Sequence, residues 1–99
     1  MAMTITSERE GSAMRLTLAG RLDTVTAQEL EAELFSLDNV ETLTLDCAGL
    51  EYISSAGLRV LFSAHKRMAQ QGRMVLTNVG DEIADVFSLT GYSEFLNIE

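Results

Sequence analysis

Ninety-nine residues, 46% of them hydrophobic and none of them proline, suit one folded domain over 1–99, with no linker and no room for a second domain. The formal net charge of −8 argues against nucleic acid or an anionic membrane surface as a direct partner, because both are met mainly by cations. No apolar run approaches the roughly 20 residues of a membrane span, and the N-terminus has no secretory pattern. The single cysteine, Cys47, cannot close an internal disulfide, so the expected compartment is a reducing cytoplasm.

In chain order, Met3 to Glu8 and Met14 to Ala19 alternate apolar and polar residues around the turn-like E-G-S, which predicts an antiparallel hairpin. After G-R-L-D-T-V, Thr26 and Glu29 stand at capping-box spacing, and Leu30, Leu34 and Leu37 mark one face of a helix from about Ala27 to Ser36. V-E-T-L-T-L-D-C reads as a central strand leading through A-G-L-E-Y-I to the longest helix, Ser55 to about Gln71. Leu58, Leu61, Phe62, His65 and Met68 form that helix's apolar side, widened by Val60 and Ala64, and Gly72 is its expected stop. M-V-L-T-N-V is the next strand, Asp81 to Leu89 a third helix ended by T-G-Y, and F-L-N-I a last short strand. Strands alternating with helices imply parallel neighbours joined by right-handed crossovers. The predicted fold class is α/β: a mixed sheet of four or five strands, edged by the hairpin, with the helices near Ala27 and Ser55 on one face.

Catalysis is poorly supported by this sequence. His65 is the only histidine, and on a helix at 1.5 Å per residue it lies roughly 15 Å along the axis from Ser55, far beyond proton transfer. One histidine and one cysteine on different elements do not make a metal site. The glycines are scattered singly, so no phosphate-binding loop is present, and the clustered carboxylates Glu29, Glu31, Glu33 and Asp81, Glu82, Asp85 sit where helix starts favour negative charge. No catalytic residue, metal or cofactor is expected.

The stretch Y-I-S-S-A-G-L-R-V-L, from Tyr52 to Leu61, is more informative. Either Ser54 or Ser55 can cap the helix, worth about 1 kcal/mol. Ala56 and Gly57 place the smallest side chains in the first turn, where another chain can approach the backbone. A phosphate on Ser55 would be tolerated at a helix start while adding about −1.5 to −2 charge. Arg59, Ser63 and Lys66 recur at helical spacing on the wet side, as either a solvated basic stripe or a partner surface. Asp23 closes the second strand in G-R-L-D, and sites gather where strands lead into helices; turn support or helix capping accounts for it equally well.

From L-T-L-A-G-R-L-D-T-V-T-A-Q-E-L through L-D-C-A-G-L-E-Y-I-S-S-A-G-L-R-V-L to V-F-S-L-T-G-Y-S-E-F-L-N-I, the chain resembles the STAS domain, in particular the stand-alone anti-sigma factor antagonists of bacteria. The resemblance implies partner switching. The unphosphorylated protein holds an anti-sigma factor that is also a serine kinase, phosphorylation releases it, and a serine phosphatase resets the cycle, with ATP and Mg²⁺ belonging to the kinase. In that family the motif before the long helix is commonly Asp-Ser-(Ser/Thr)-Gly-Leu, which lays the acceptor on Ser55. Ser54 here replaces the aspartate and Ala56 the second hydroxyl, while Gly57 and Leu58 match. The family's acidic residue in G-x-L-D falls on Asp23. The expected partner surface is therefore Asp23, Ser54, Ala56, Gly57, Arg59, Ser63 and Lys66. The alternative is a STAS scaffold or a regulatory subunit of a transporter or signalling assembly that is not phosphorylated; a small-ligand binding domain is a weaker third.

Overall fold

The computed structural model describes residues 3–34 and 37–99. Strands β1 (Thr4–Glu10) and β2 (Ala13–Leu22) form the antiparallel hairpin. Helix α1 (Thr24–Leu34), strand β3 (Thr42–Ile53), helix α2 (Ser55–Ala69), strand β4 (Arg73–Thr77), helix α3 (Asp81–Thr90), a 3₁₀ turn (Tyr92–Glu94) and strand β5 (Asn97–Ile98) follow. The five strands lie in chain order, β1-β2-β3-β4-β5, with every pair after the hairpin parallel. The α/β architecture is the one expected from the alternation of strands and helices.

Sheet register explains why one face carries the helices. Met14, Leu43 and Met74 align across β2, β3 and β4, as do Leu16, Leu45 and Leu76, and all six are buried. Their neighbours Arg15, Thr17, Thr44, Asp46 and Thr77 point to the other face and remain exposed or half-buried, Val75 being the buried exception there. Helices α1 and α2 pack side by side against the apolar rows, which bury Leu30, Leu34, Leu58, Leu61, Ala64 and Met68. Ile83 and Phe87 of α3 complete the same core.

Several local expectations are corrected. Helix α1 starts at Thr24, and its N-cap is Asp23 rather than Thr26: Asp23 Oδ1 accepts from the backbone N–H groups of Val25 and Thr26, both at 3.0 Å. Thr26 is buried, accepting from the Asp23 N–H at 2.8 Å and donating to the Arg21 carbonyl at 2.6 Å. The capping box thus runs from Asp23 to Thr26, one register earlier than Thr26 to Glu29. The predicted end of this helix, Ser36, lies outside the described residues. Strand β3 continues through A-G-L-E-Y-I to Ile53, with register shifts against β2 after Thr17 and Gly20. Gly72 follows α2 not as a left-handed stop but as a point of close approach, because a Cβ there would overlap the Glu41 carbonyl. Phe62 is not in the core. It is 40% exposed and stacks edge-on with Phe95 and Tyr92, while His65 tilts against Phe95.

Candidate functional site

Parallel pairing of β2 with β3 sets the site. Leu22 and Ile53 are register partners, and the Ser54 N–H donates to the Leu22 carbonyl at 2.8 Å, so Asp23 and Ser54 leave the sheet side by side. Each strand then turns directly into a helix, which brings the first turns of α1 and α2 to one rim. The sequence expectation that Asp23 and Ser55 share a rim rests on this pairing, and the pairing is present.

The two serines divide the work of the helix start. Ser54 is the N-cap, with extended backbone (φ −95°, ψ 173°), and its Oγ accepts from the Gly57 N–H at 3.2 Å. Ser55 is the first helical residue, is exposed, and its hydroxyl makes no hydrogen bond among the described residues. Among the described residues, no hydrogen bond of the fold holds its Oγ.

The small residues after the serines also divide. Ala56 is half-buried and lines a shallow groove of about 340 Å³ between the helices, with Arg59 and Ser63 from α2 and Thr24, Gln28 and Glu31 from α1. Gly57 is buried, and this corrects its placement on the partner surface: an added Cβ would come within 2.7 Å of Leu22 Cγ and 3.0 Å of Ile53 Cγ1. Its missing side chain lets α2 sit against the strand ends. Lys66 is exposed on the same side of α2 as Arg59, but its Nζ lies 5.2 Å over the Phe62 ring, outside the groove lining.

Asp23 does cap α1, and the same hydrogen bonds fix its charge. Donation by the Thr26 backbone N–H is the largest influence holding its carboxyl below the ordinary aspartate range, with the Thr26 hydroxyl, the Val25 N–H and the Arg21 charge adding to it. The capping bonds described all converge on Oδ1.

Sequence reasoning missed the contribution of α1. Thr24, Gln28 and Glu31 lie at helical spacing and were readable only as a wet face until α2 was placed beside them. It also missed two apolar neighbours of the rim: Val25, 69% exposed one residue into α1, and Tyr52, whose ring lies 4.1 Å below the Arg21 guanidinium. The signal available in the sequence was D-T-V-T, which puts a valine two residues after an aspartate able to cap a helix. Among the described residues, no group of three or more His, Cys, Asp or Glu side chains is placed to hold a metal, and no helix is long and apolar enough to cross a membrane.

The family model of the STAS domain matches residues 4–99. The chain belongs to the STAS domain family. BtrV of Bordetella bronchiseptica, by its name a candidate anti-sigma factor antagonist, is 36% identical over 93 residues, which span 91% of this chain and 80% of BtrV. Among solved structures, an anti-sigma factor antagonist from Mycobacterium paratuberculosis superposes with a TM-score of 0.87 at 21% identity, covering 97% of this chain and 84% of that one. The Bacillus cell fate determinant SpoIIAA, solved in its phosphorylated form, superposes with a TM-score of 0.76 at 19% identity over 97% of this chain and 91% of its own. At those identities the two structures establish the fold. This STAS domain thus has relatives named for one regulatory role, and its own candidate rim lies at the start of α2.

Proposed function

We propose that this STAS domain is an anti-sigma factor antagonist that works by partner switching in the cytoplasm. Unphosphorylated, it binds an anti-sigma factor that is also a serine kinase, through the rim and groove formed by the first turns of α1 and α2. In the modification step the γ-phosphoryl group of the kinase's ATP passes to Ser55 Oγ, which loses its proton, and ADP leaves. The added charge on a chain of net charge −8 weakens the contact and frees the partner. A serine phosphatase restores the hydroxyl, with water as the acceptor of the phosphoryl group.

The observation that carries this reading is the division between the serines: Ser54 is committed to capping, and Ser55 presents an exposed hydroxyl one residue on. Phosphorylation there alters the surface without removing a bond of the fold. The names of the relatives, and the existence of SpoIIAA in a phosphorylated form, support the same assignment. The test is incubation with ATP, Mg²⁺ and each small serine kinase encoded in the same genome, followed by intact-protein mass spectrometry. A single phosphate that disappears in Ser55→Ala and persists in Ser54→Ala is the expected result. A chain that binds its partners but is never phosphorylated is the unmodified scaffold instead.

A further inference from the structure

Ser55 and Arg59 are exposed residues four apart on α2, so their side chains rise from one stripe of the helix with Cβ atoms about 6 Å apart. The other six cationic side chains are engaged among the described residues. Arg15, Arg67 and Arg73 pair with Asp46, Asp38 and Glu99. Arg9 donates to the Gly11 and Asp38 carbonyls, Arg21 lies over Tyr52, and Lys66 lies over Phe62. Arg59 has no such partner among the described residues, although Glu31 lines the same groove. Among the described residues it is the groove's one uncommitted cation, carrying five donors on a stem long enough to cross one helical turn.

We propose that Arg59 is the intramolecular partner of a phosphate on Ser55, drawn out of the α1–α2 groove to form charge-assisted hydrogen bonds with it. The inference rests on the reading that Ser55 is the phosphorylated residue. The switch then has two parts: a dianion appears on the rim, and the groove's free cation is withdrawn from whatever acidic or polar group of the partner it meets. Both changes weaken the same contact. A carboxylate at position 55 has one charge and two oxygens instead of two charges and three, so Ser55→Asp captures Arg59 poorly and imitates the switch incompletely.

The test places phosphoserine at position 55 by an expanded genetic code, so that no kinase is needed, and follows the phosphate's second ionisation by ³¹P NMR. A cation beside the phosphate favours the dianion and lowers that pKa. The otherwise native chain should therefore titrate about 0.3 to 0.7 pH unit below Arg59→Gln, with Arg59→Lys between them, and added salt should narrow the gap. The Arg59 Nε–H resonance should move on phosphorylation. Equal pKa values in the native and Arg59→Gln chains, with that resonance unmoved, overturn the proposal. The underlying reading fails separately, if protein recovered from its own cells carries no phosphate on Ser55 while the titration shift is still present.

Discussion

Replacing each serine in turn by alanine separates the cap from the acceptor. Ser54→Ala removes the oxygen that accepts from the Gly57 N–H at 3.2 Å, leaving that first-turn donor without its partner. Loss of such a cap costs about 1 kcal/mol, within a range of roughly 0.5 to 2. For a domain of this size each kcal/mol moves the melting temperature by about 4–8 °C, so Ser54→Ala should melt several degrees lower. Ser55→Ala removes an exposed hydroxyl with no bond to lose, and its stability should stay within about 0.5 kcal/mol of the parent. Ser54→Asp supplies an equally good cap and should keep the parent's melting temperature. Urea titration followed by far-UV circular dichroism gives the three stabilities, and an unchanged dependence on urea concentration would show that only stability moved. The reasoning is refuted if Ser55→Ala melts below Ser54→Ala, because the cap would then belong to the residue assigned as the acceptor.

Gly57→Ala gains about 1 kcal/mol of helix propensity but forces a Cβ to within 2.7 Å of Leu22 Cγ, an overpacking that costs about 1–3 kcal/mol; the variant should be neutral to about 2 kcal/mol less stable, and a clear rise in melting temperature would contradict the close approach. Asp23→Asn keeps a capping oxygen but loses the charge that the capping bonds favour, so it should melt somewhat below the parent at pH 7, with the two converging as pH falls, while phosphorylation of Ser55 slows; unchanged kinetics with a lowered melting temperature would make Asp23 structural only. The folded carboxyl of Asp23 holds its proton less tightly than the unfolded one, so its contribution is present above the unfolded pKa near 3.9 and is lost as pH falls through the folded value. Asp23→Asn should therefore flatten the acid side of the stability profile, and an identical acid limb would count against the capping bonds. Cys47, whose thiol pKa is pushed up to about 12 by burial and then by the Asp46 charge, should resist iodoacetamide at pH 8 in the folded protein and react fully in guanidinium. Its raised pKa gives stability present below the unfolded value of about 8.5, lost as pH rises toward 12; rapid labelling of the folded chain would refute this.

The strand and helix order was legible because β2, β3 and α2 carry the clearest periods, and the helix-period positions Leu58, Leu61 and Met68 are buried as read. The start of α1 was not, because D-T-V-T and T-A-Q-E both satisfy a capping pattern, and only the end of β2 at Leu22 selects the first. Phe62 misled for a different reason: its spacing matches the apolar face, but the aromatic rings it meets come from the C-terminal segment, which no local pattern places. At the candidate site the serine pair, Asp23 and Arg59 were visible one by one. The groove was not, since it exists only between two helices whose neighbouring faces each look solvated alone.

The Ser54 N–H bond to the Leu22 carbonyl extends the ladder joining β2 to β3, the most extensive pairing in the molecule, directly into the rim. Backbone amides there should exchange with solvent only when the whole domain opens, whereas β5, two residues long, and the outer edge of β1 should exchange through local fraying. A partner therefore meets a surface that is already ordered before contact and does not have to be stiffened at the moment of binding. Association can then run at the speed of docking, and the lifetime of the complex, rather than the rate at which it forms, is where a covalent change at the rim would be felt.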